Sequence, residues 1–205
     1  MAQRAKAECE RDELFQSLAC GGIHAKKKSY LYRERRAEER QLFAQQIAPI
    51  ALADRVYLDE AGVEDTLDYP WGWSKQGTRC QGEKRGHRTQ RVSMIAAWCE
   101  GKVLAPFTFE GYCDSVLVET WFERFLLPVL RAGQVIILDN ASFHRKAVLA
   151  RLLESVGCQL LALPAYSPDL NKIEPLWNCI KQHIKLRCDP NLPFGERVDR
   201  AFCSL

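Results

Sequence analysis

Val135-Ile136-Ile137-Leu138-Asp139-Asn140-Ala141-Ser142-Phe143-His144 is the stretch on which the fold turns. Four aliphatic residues run without a polar break and stop at a carboxylate. Such a run reads as a strand buried on both faces, as in the middle of an α/β sheet. Ligands of these sheets bind in the crevice beyond the C-terminal strand ends, so a carboxylate there is placed for chemistry. Asp139 is equally suited to cap the next helix, a common task for Asp and Asn. The other carboxylates decide between the two.

Working outward, residues 145–156 carry Val148, Leu149, Leu152 and Leu153 at helical spacing and end at Gly157. Residues 158–163 form a second buried strand. Upstream, Asp114-Ser115 opens a helix reaching about Leu130, with Val118, Trp121, Phe122, Phe125 and Leu126 on one face. Residues 91–98 and 102–109 alternate as strands around Glu100-Gly101, a hairpin signal. Residues 55–60 form a short strand ending in Asp59-Glu60. This order predicts a five-stranded mixed α/β sheet flanked by helices on both faces. The first, fourth and fifth strands are expected near its centre. The right-handed rule for parallel crossovers sets the fourth beside the first, so Asp59 and Asp139 should share one sheet edge.

A third carboxylate opens the next helix. Ile173, Leu176, Trp177, Ile180 and Ile184 form one apolar face ending near Arg187. Glu174 stands at the rim of that stripe, and its own side continues through Asn178, Lys181 and Lys185, along which a phosphate backbone can lie. Two bland roles compete: Asn171 and Glu174 can form a capping box, or Glu174 simply precedes Pro175 at the helix start. Three converging carboxylates without a His or Cys cluster suit hard divalent ions such as Mg2+, with Mn2+ as substitute. Two ions roughly 3.5–4 Å apart clamp an in-line phosphoryl displacement. Asp59, Asp139 and Glu174 are therefore the candidate catalytic and metal residues, Asp59 bridging both ions. Water is then the nucleophile for cleavage and a freed 3′-hydroxyl the nucleophile for joining.

Composition fits one core plus an arm. The 205 residues are 47% hydrophobic with a net charge of +3, so anion binding has to come from clustering. No stretch has the length of a membrane span and the N-terminus lacks a signal peptide's apolar core, giving an expected cytoplasmic location. Nine cysteines without a C-x-x-C pair fit reduced thiols better than zinc ligands. Residues 8–20 read as a short helix, followed by Lys26-Lys27-Lys28. Residues 30–46 read as a charged helix, with Leu31, Leu42, Phe43 and Ile47 available to dock it. From 72 to 91, six Lys/Arg oppose only Glu83. Trp73, Lys75, Arg79, Lys84, Arg85 and Arg88 are the candidate DNA contacts there, cations for phosphates and rings for bases. A solvated loop packed by its tryptophans is the alternative. From Pro190 onward the chain reads as a tail.

Asp59-Glu60, then Asp139-Asn140-Ala141-Ser142-Phe143-His144, then Tyr166-Ser167-Pro168-Asp169-Leu170-Asn171-Lys172-Ile173-Glu174-Pro175-Leu176-Trp177 resemble the DDE transposases of the mariner superfamily, in its bacterial insertion-sequence branch. Glu174 follows Asp139 by 35 positions, the spacing of that family, and the resemblance spans roughly 25–188. It implies a ribonuclease-H-like fold and metal-dependent cleavage and strand transfer of double-stranded DNA, at element ends and at target sites. Nucleoid association and a homodimer would follow. Glu60, Asn140, His144 and Asn171 match motif positions as supporting residues around the acids; His144 either holds the loop or touches phosphate. Lys172 stands where proline is common in relatives.

The expected division is an arm over 1–50, a catalytic domain over 51–188 and a tail over 189–205. The arm is too short for the two helix-turn-helix domains usual in the family. A separately encoded N-terminal DNA-binding half, or a remnant of a decayed element, is the corresponding expectation. A catalytically inactive nucleic-acid-binding protein and a ribonuclease-H-like nuclease are the competing functions.

Overall fold

The computed structural model describes residues 32–65, 73–82, 90–189 and 191–204. The proposed helix at 8–20, the lysines at 26–28 and Leu31 lie outside them. Five strands form one sheet in the order β3-β2-β1-β4-β5: β1 Arg55–Glu64, β2 Arg91–Cys99, β3 Lys102–Phe109, β4 Val135–Leu138 and β5 Gln159–Ala162. β1, β2 and β3 are antiparallel neighbours, and β4 and β5 continue from β1 in parallel. The tight turn between β2 and β3 places Glu100 at φ 47° and Gly101 at φ 82°, the positive angles that a twisted two-residue hairpin demands.

β1 holds the centre with β4 beside it, as the crossover rule requires. β5, expected near the centre, is an edge strand, and its residues are only partly buried. Apolar composition suggested the centre because helices cover both faces there, so an edge strand can be as apolar as an inner one. β4 is buried at all four positions, worth about 1.5–3 kcal/mol per side chain.

Alternation along β1 separates two cores. Tyr57 and Val63 face one side, with Ile137 of β4 and the apolar faces of α4 (Glu174–Leu186) and α5 (Phe194–Cys203). Val56 and Leu58 face the other, with Ile136 and Leu138, helix α2 (Ser115–Trp121) and helix α3 (Lys146–Glu154). Helix α1 (Ala37–Ile47) starts later than its charge pattern suggested. It docks through Phe43, with Ile47 partly buried, whereas Leu42 is exposed.

Three further departures have local causes. β1 does not stop at its acids but runs on to Glu64, because β2 pairs with it throughout. The helix that Asp114 caps through the Leu117 N–H is α-helical only to Trp121; a π-helical turn over Phe122–Leu126 and a 3-10 turn follow, and Pro128 falls in that 3-10 turn. The wider turn leaves Phe125 exposed, resting on Phe107 at 5.1 Å between ring centroids. The expected tail contains α5, whose Phe194, Arg197, Val198 and Ala201 are buried at helical spacing. Arg197 meets Asp65 at 2.7 Å and lies over the Phe194 ring, so this helix anchors the end of β1.

Candidate active site

Parallel pairing between β1 and β4 ends at Tyr57 and Ile137. Carried two residues further, that register sets Asp59 opposite Asp139. Each is the first acid past the shared ladder, and both stand at the sheet edge that the sequence pattern assigned them.

Asp59 is half-buried. Its Oδ2 accepts a hydrogen bond from the Trp177 indole Nε1 at 3.0 Å. Burial pushes its carboxyl pKa up to about 7 against that hydrogen bond, with the charges of Glu60 and Glu174 adding to the rise. Asp139 ends β4 with about half of its side chain exposed. Its Oδ1 accepts from the Ala141 N–H at 2.9 Å and lies 3.1 Å from His144 Nδ1. Contact with His144 lowers its pKa, against the opposing effect of burial. So Asp139 turns its own loop rather than capping α3, whose N-terminus receives no side-chain cap.

Glu174 is the first residue of α4 and exposed. The capping box does not form, because Asn171 is used elsewhere: its buried Nδ2 donates to the Leu58 carbonyl at 3.2 Å, tying the loop before α4 to β1 next to Asp59. Pro175 occupies the first turn, where its missing N–H costs nothing. A helix N-terminus favours a carboxylate, and Glu174 reaches Asp59 electrostatically. Among the described residues no three His, Cys, Asp or Glu side chains are grouped closely enough to hold a metal ion. The side chains of Asp59, Asp139 and Glu174 nonetheless offer only carboxylate oxygens, the donor type that suits a hard cation.

Glu60 points to the opposite face from Asp59. Its Oε1 lies 2.9 Å from His144 Nε2. His144 is buried in the loop after β4 and spans Glu60 of β1 and Asp139 just past β4, with Nδ1 lacking a well-aligned acceptor. Burial lowers its pKa, but the two acids outweigh burial and set it at about 9. Asn140 donates to the Leu163 carbonyl and receives Lys146, clamping the ends of β4 and β5 together. Arg40 of α1 forms a two-pronged pair with Asp169 at 2.8 and 2.9 Å, securing the loop ahead of Glu174.

Of the candidate DNA contacts, Trp73, Lys75 and Arg79 are exposed, around a turn that Thr78 closes onto the Lys75 carbonyl. Lys84, Arg85 and Arg88 lie outside the described residues. Lys181 and Lys185 line a groove of about 250 Å³ with Gly62, Val63, Glu64 and Arg91. Arg91 lies across Gly62, where an added Cβ would meet its guanidinium at 2.5 Å. A second groove, about 590 Å³, runs from Glu60 past Arg91 and Ser93 to Tyr112 and Cys113. Trp177 was legible only as a core residue, since its spacing says nothing about where the indole N–H points. The partnership of Glu60 with His144 crosses 84 positions and leaves no local signal either.

A family model described as DDE superfamily endonuclease matches residues 54–191. Among solved structures, the Mos1 transposase paired-end complex with left transposon end is 15% identical at TM-score 0.67, covering 95% of this chain and 63% of that one. The Mos1 mariner paired end complex with Mn gives the same figures. The catalytic domain of Mos1 mariner transposase is 13% identical at TM-score 0.51, covering 87% and 97%. The likeness establishes the ribonuclease-H-like fold, and this chain spans less than two thirds of the length of the Mos1 chains in the two paired-end complexes. No curated protein matches. No helix among the described residues is long and apolar enough to cross a membrane.

Proposed function

The chain belongs to the DDE superfamily of endonucleases, and from that membership we propose that it is a transposase that cleaves double-stranded DNA at element ends and joins them to target DNA. The observation that carries this reading is the placement of Asp59 and Asp139 just past the last paired residues of neighbouring parallel strands, with Glu174 acting on Asp59 from a helix start. Mos1 transposase structures described as complexes with Mn and with Mg support a divalent ion.

Asp59, Asp139 and Glu174 would hold two such ions, Mg2+ or Mn2+. When bound, they supply Lewis acidity at the scissile phosphate. The chain's own residues do the rest. His144 keeps Asp139 facing outward and links it to Glu60. Asn171 and Arg40 fix the loop that delivers Glu174. Lys181, Lys185 and Arg91 draw the phosphate backbone along α4, and Trp73, Lys75, Arg79, Lys84, Arg85 and Arg88 are further DNA contacts in this reading. The catalytic domain comprises residues 51–188, with α5 as an added brace. The 35-position spacing from Asp139 to Glu174 supports the bacterial insertion-sequence branch, and with it a cytoplasmic, nucleoid-associated protein. Two DNA ends handled together call for a homodimer.

Cleavage of a duplex carrying the ends that flank the coding sequence, with Mn2+ supplied, tests this. Asp139→Asn should abolish cutting and leave DNA affinity intact. An unmutated chain that binds the duplex but never cuts it would make this a binding remnant.

A further inference from the structure

The side chain that closes off Asp59 is a tryptophan, and core filling alone does not account for it. Trp177 is 3% exposed and packs edge-on against Phe202 at 6.4 Å between centroids. A buried indole N–H needs an acceptor. Here the acceptor is one oxygen of a carboxylate rather than a backbone carbonyl. Trp177 also lies three residues after Glu174 on α4, so a single helical turn carries the third acid and the donor to the first.

We infer that Trp177 is a positioning residue for the acidic site: its indole N–H occupies Asp59 Oδ2, presents Oδ1 to a divalent cation, and fixes how far Asp59 stands from Glu174. Two features give this weight. Asp59 is the first acid past the β1–β4 ladder, so no pairing to β4 holds it from that side. The link is also short and rigid, one hydrogen bond from a ring with two side-chain torsions. Partners that orient ligating carboxylates typically change metal affinity 10–100-fold when removed. This role rests on the metal reading given above.

Two measurements on the full chain test it. In the first, calorimetry with Mn2+, in the presence of a short DNA duplex, compares the unmutated chain, Asp59→Asn and Trp177→Phe. Phenylalanine keeps the ring packing and removes only the donor. Trp177→Phe should bind Mn2+ about tenfold more weakly or worse, with its melting temperature in chelator within a few degrees of the unmutated chain. The second serves if that variant folds poorly. The chain contains five tryptophans. Of their indole N–H resonances, one should shift as Mg2+ saturates, and that response should vanish in Asp59→Asn. Unchanged Mn2+ affinity in folded Trp177→Phe, or metal binding with no indole response, overturns the positioning role alone. An unmutated chain that binds no divalent ion overturns the metal reading and the positioning role with it.

Discussion

Asp59 and Asp139 both stand just past the last paired residues of neighbouring parallel strands, yet their surroundings are opposite. Asp59 is half-buried, receives a neutral indole donor, and feels the charges of Glu60 and Glu174. Asp139 is half-exposed, receives a backbone N–H, and contacts an imidazole. Burial and repulsion push the first carboxyl up to about 7, whereas the His144 contact pulls the second down. Equivalent places in a fold therefore do not make equivalent acids. One is charged at a cost that a bound cation would offset; the other is already compensated by the protein.

The largest effect should separate activity from stability. Asp59→Asn and Asp139→Asn should each reduce cleavage at least about a thousandfold, as losses of interlocked catalytic groups do. Their metal-free stabilities should move apart. Asn at 59 removes an unfavourable charge while its side-chain oxygen still accepts from Trp177. Asn at 139 strips His144 of a charged partner. Chemical denaturation in chelator at neutral to mildly basic pH should show Asp59→Asn more stable and Asp139→Asn less stable than the unmutated chain, each by about 1 kcal/mol. Both moving the same way would break the comparison.

Next in size is the pH dependence of the metal-free protein. Asp59 and His144 both have folded pKa values above their ordinary ones, about 7 against 3.8 and about 9 against 6.5. A group raised on folding binds its proton more tightly in the native state. Its contribution is complete below the unfolded value and is lost as pH rises through the folded one. Stability should therefore fall between about pH 4 and 7 through Asp59 and between about pH 6.5 and 9 through His144. Asp139 runs the other way: its lowered pKa contributes above pH 3.8 and is lost only in stronger acid. A full shift at Asp59 would amount to about 4 kcal/mol, reduced to about 1–2 kcal/mol by solvent screening of a partly exposed side chain. Asp59→Asn should flatten the lower window and His144→Gln the upper one. Slopes unchanged in either variant would remove that group from the account.

The same contrast explains what could be read from the chain. β4, its acid and the crossover to β1 were legible because local hydrophobicity and chain handedness determine them. The start of α4 at Glu174 was legible from helical spacing. What could not be read depends on contacts between distant residues. β1 runs past its acids because β2 pairs with it, and nothing in residues 61–64 announces a strand. Helix α5 was missed although Phe194, Val198 and Ala201 have the right period, because a buried Arg197 in that stripe looks polar until Asp65 is found beneath it. The contacts of Trp177 and Glu60 are made to partners on other elements.

The smallest expected effect lies away from both aspartates. Lys181 faces the groove that Arg91 and Gly62 help to form, about two turns along α4 from Glu174. If it only meets phosphate, Lys181→Ala should weaken DNA binding about equally for all sequences and reduce the slope of log affinity against log salt by about one. Mn2+ affinity and the two pH windows should stay where they are, because the change reaches neither aspartate's immediate partners. A shift in the Asp59 window would mean that the charge on α4 is felt back along the helix to Glu174. The two acids would then differ through the field of a whole helix, not only through the indole and the imidazole that touch them.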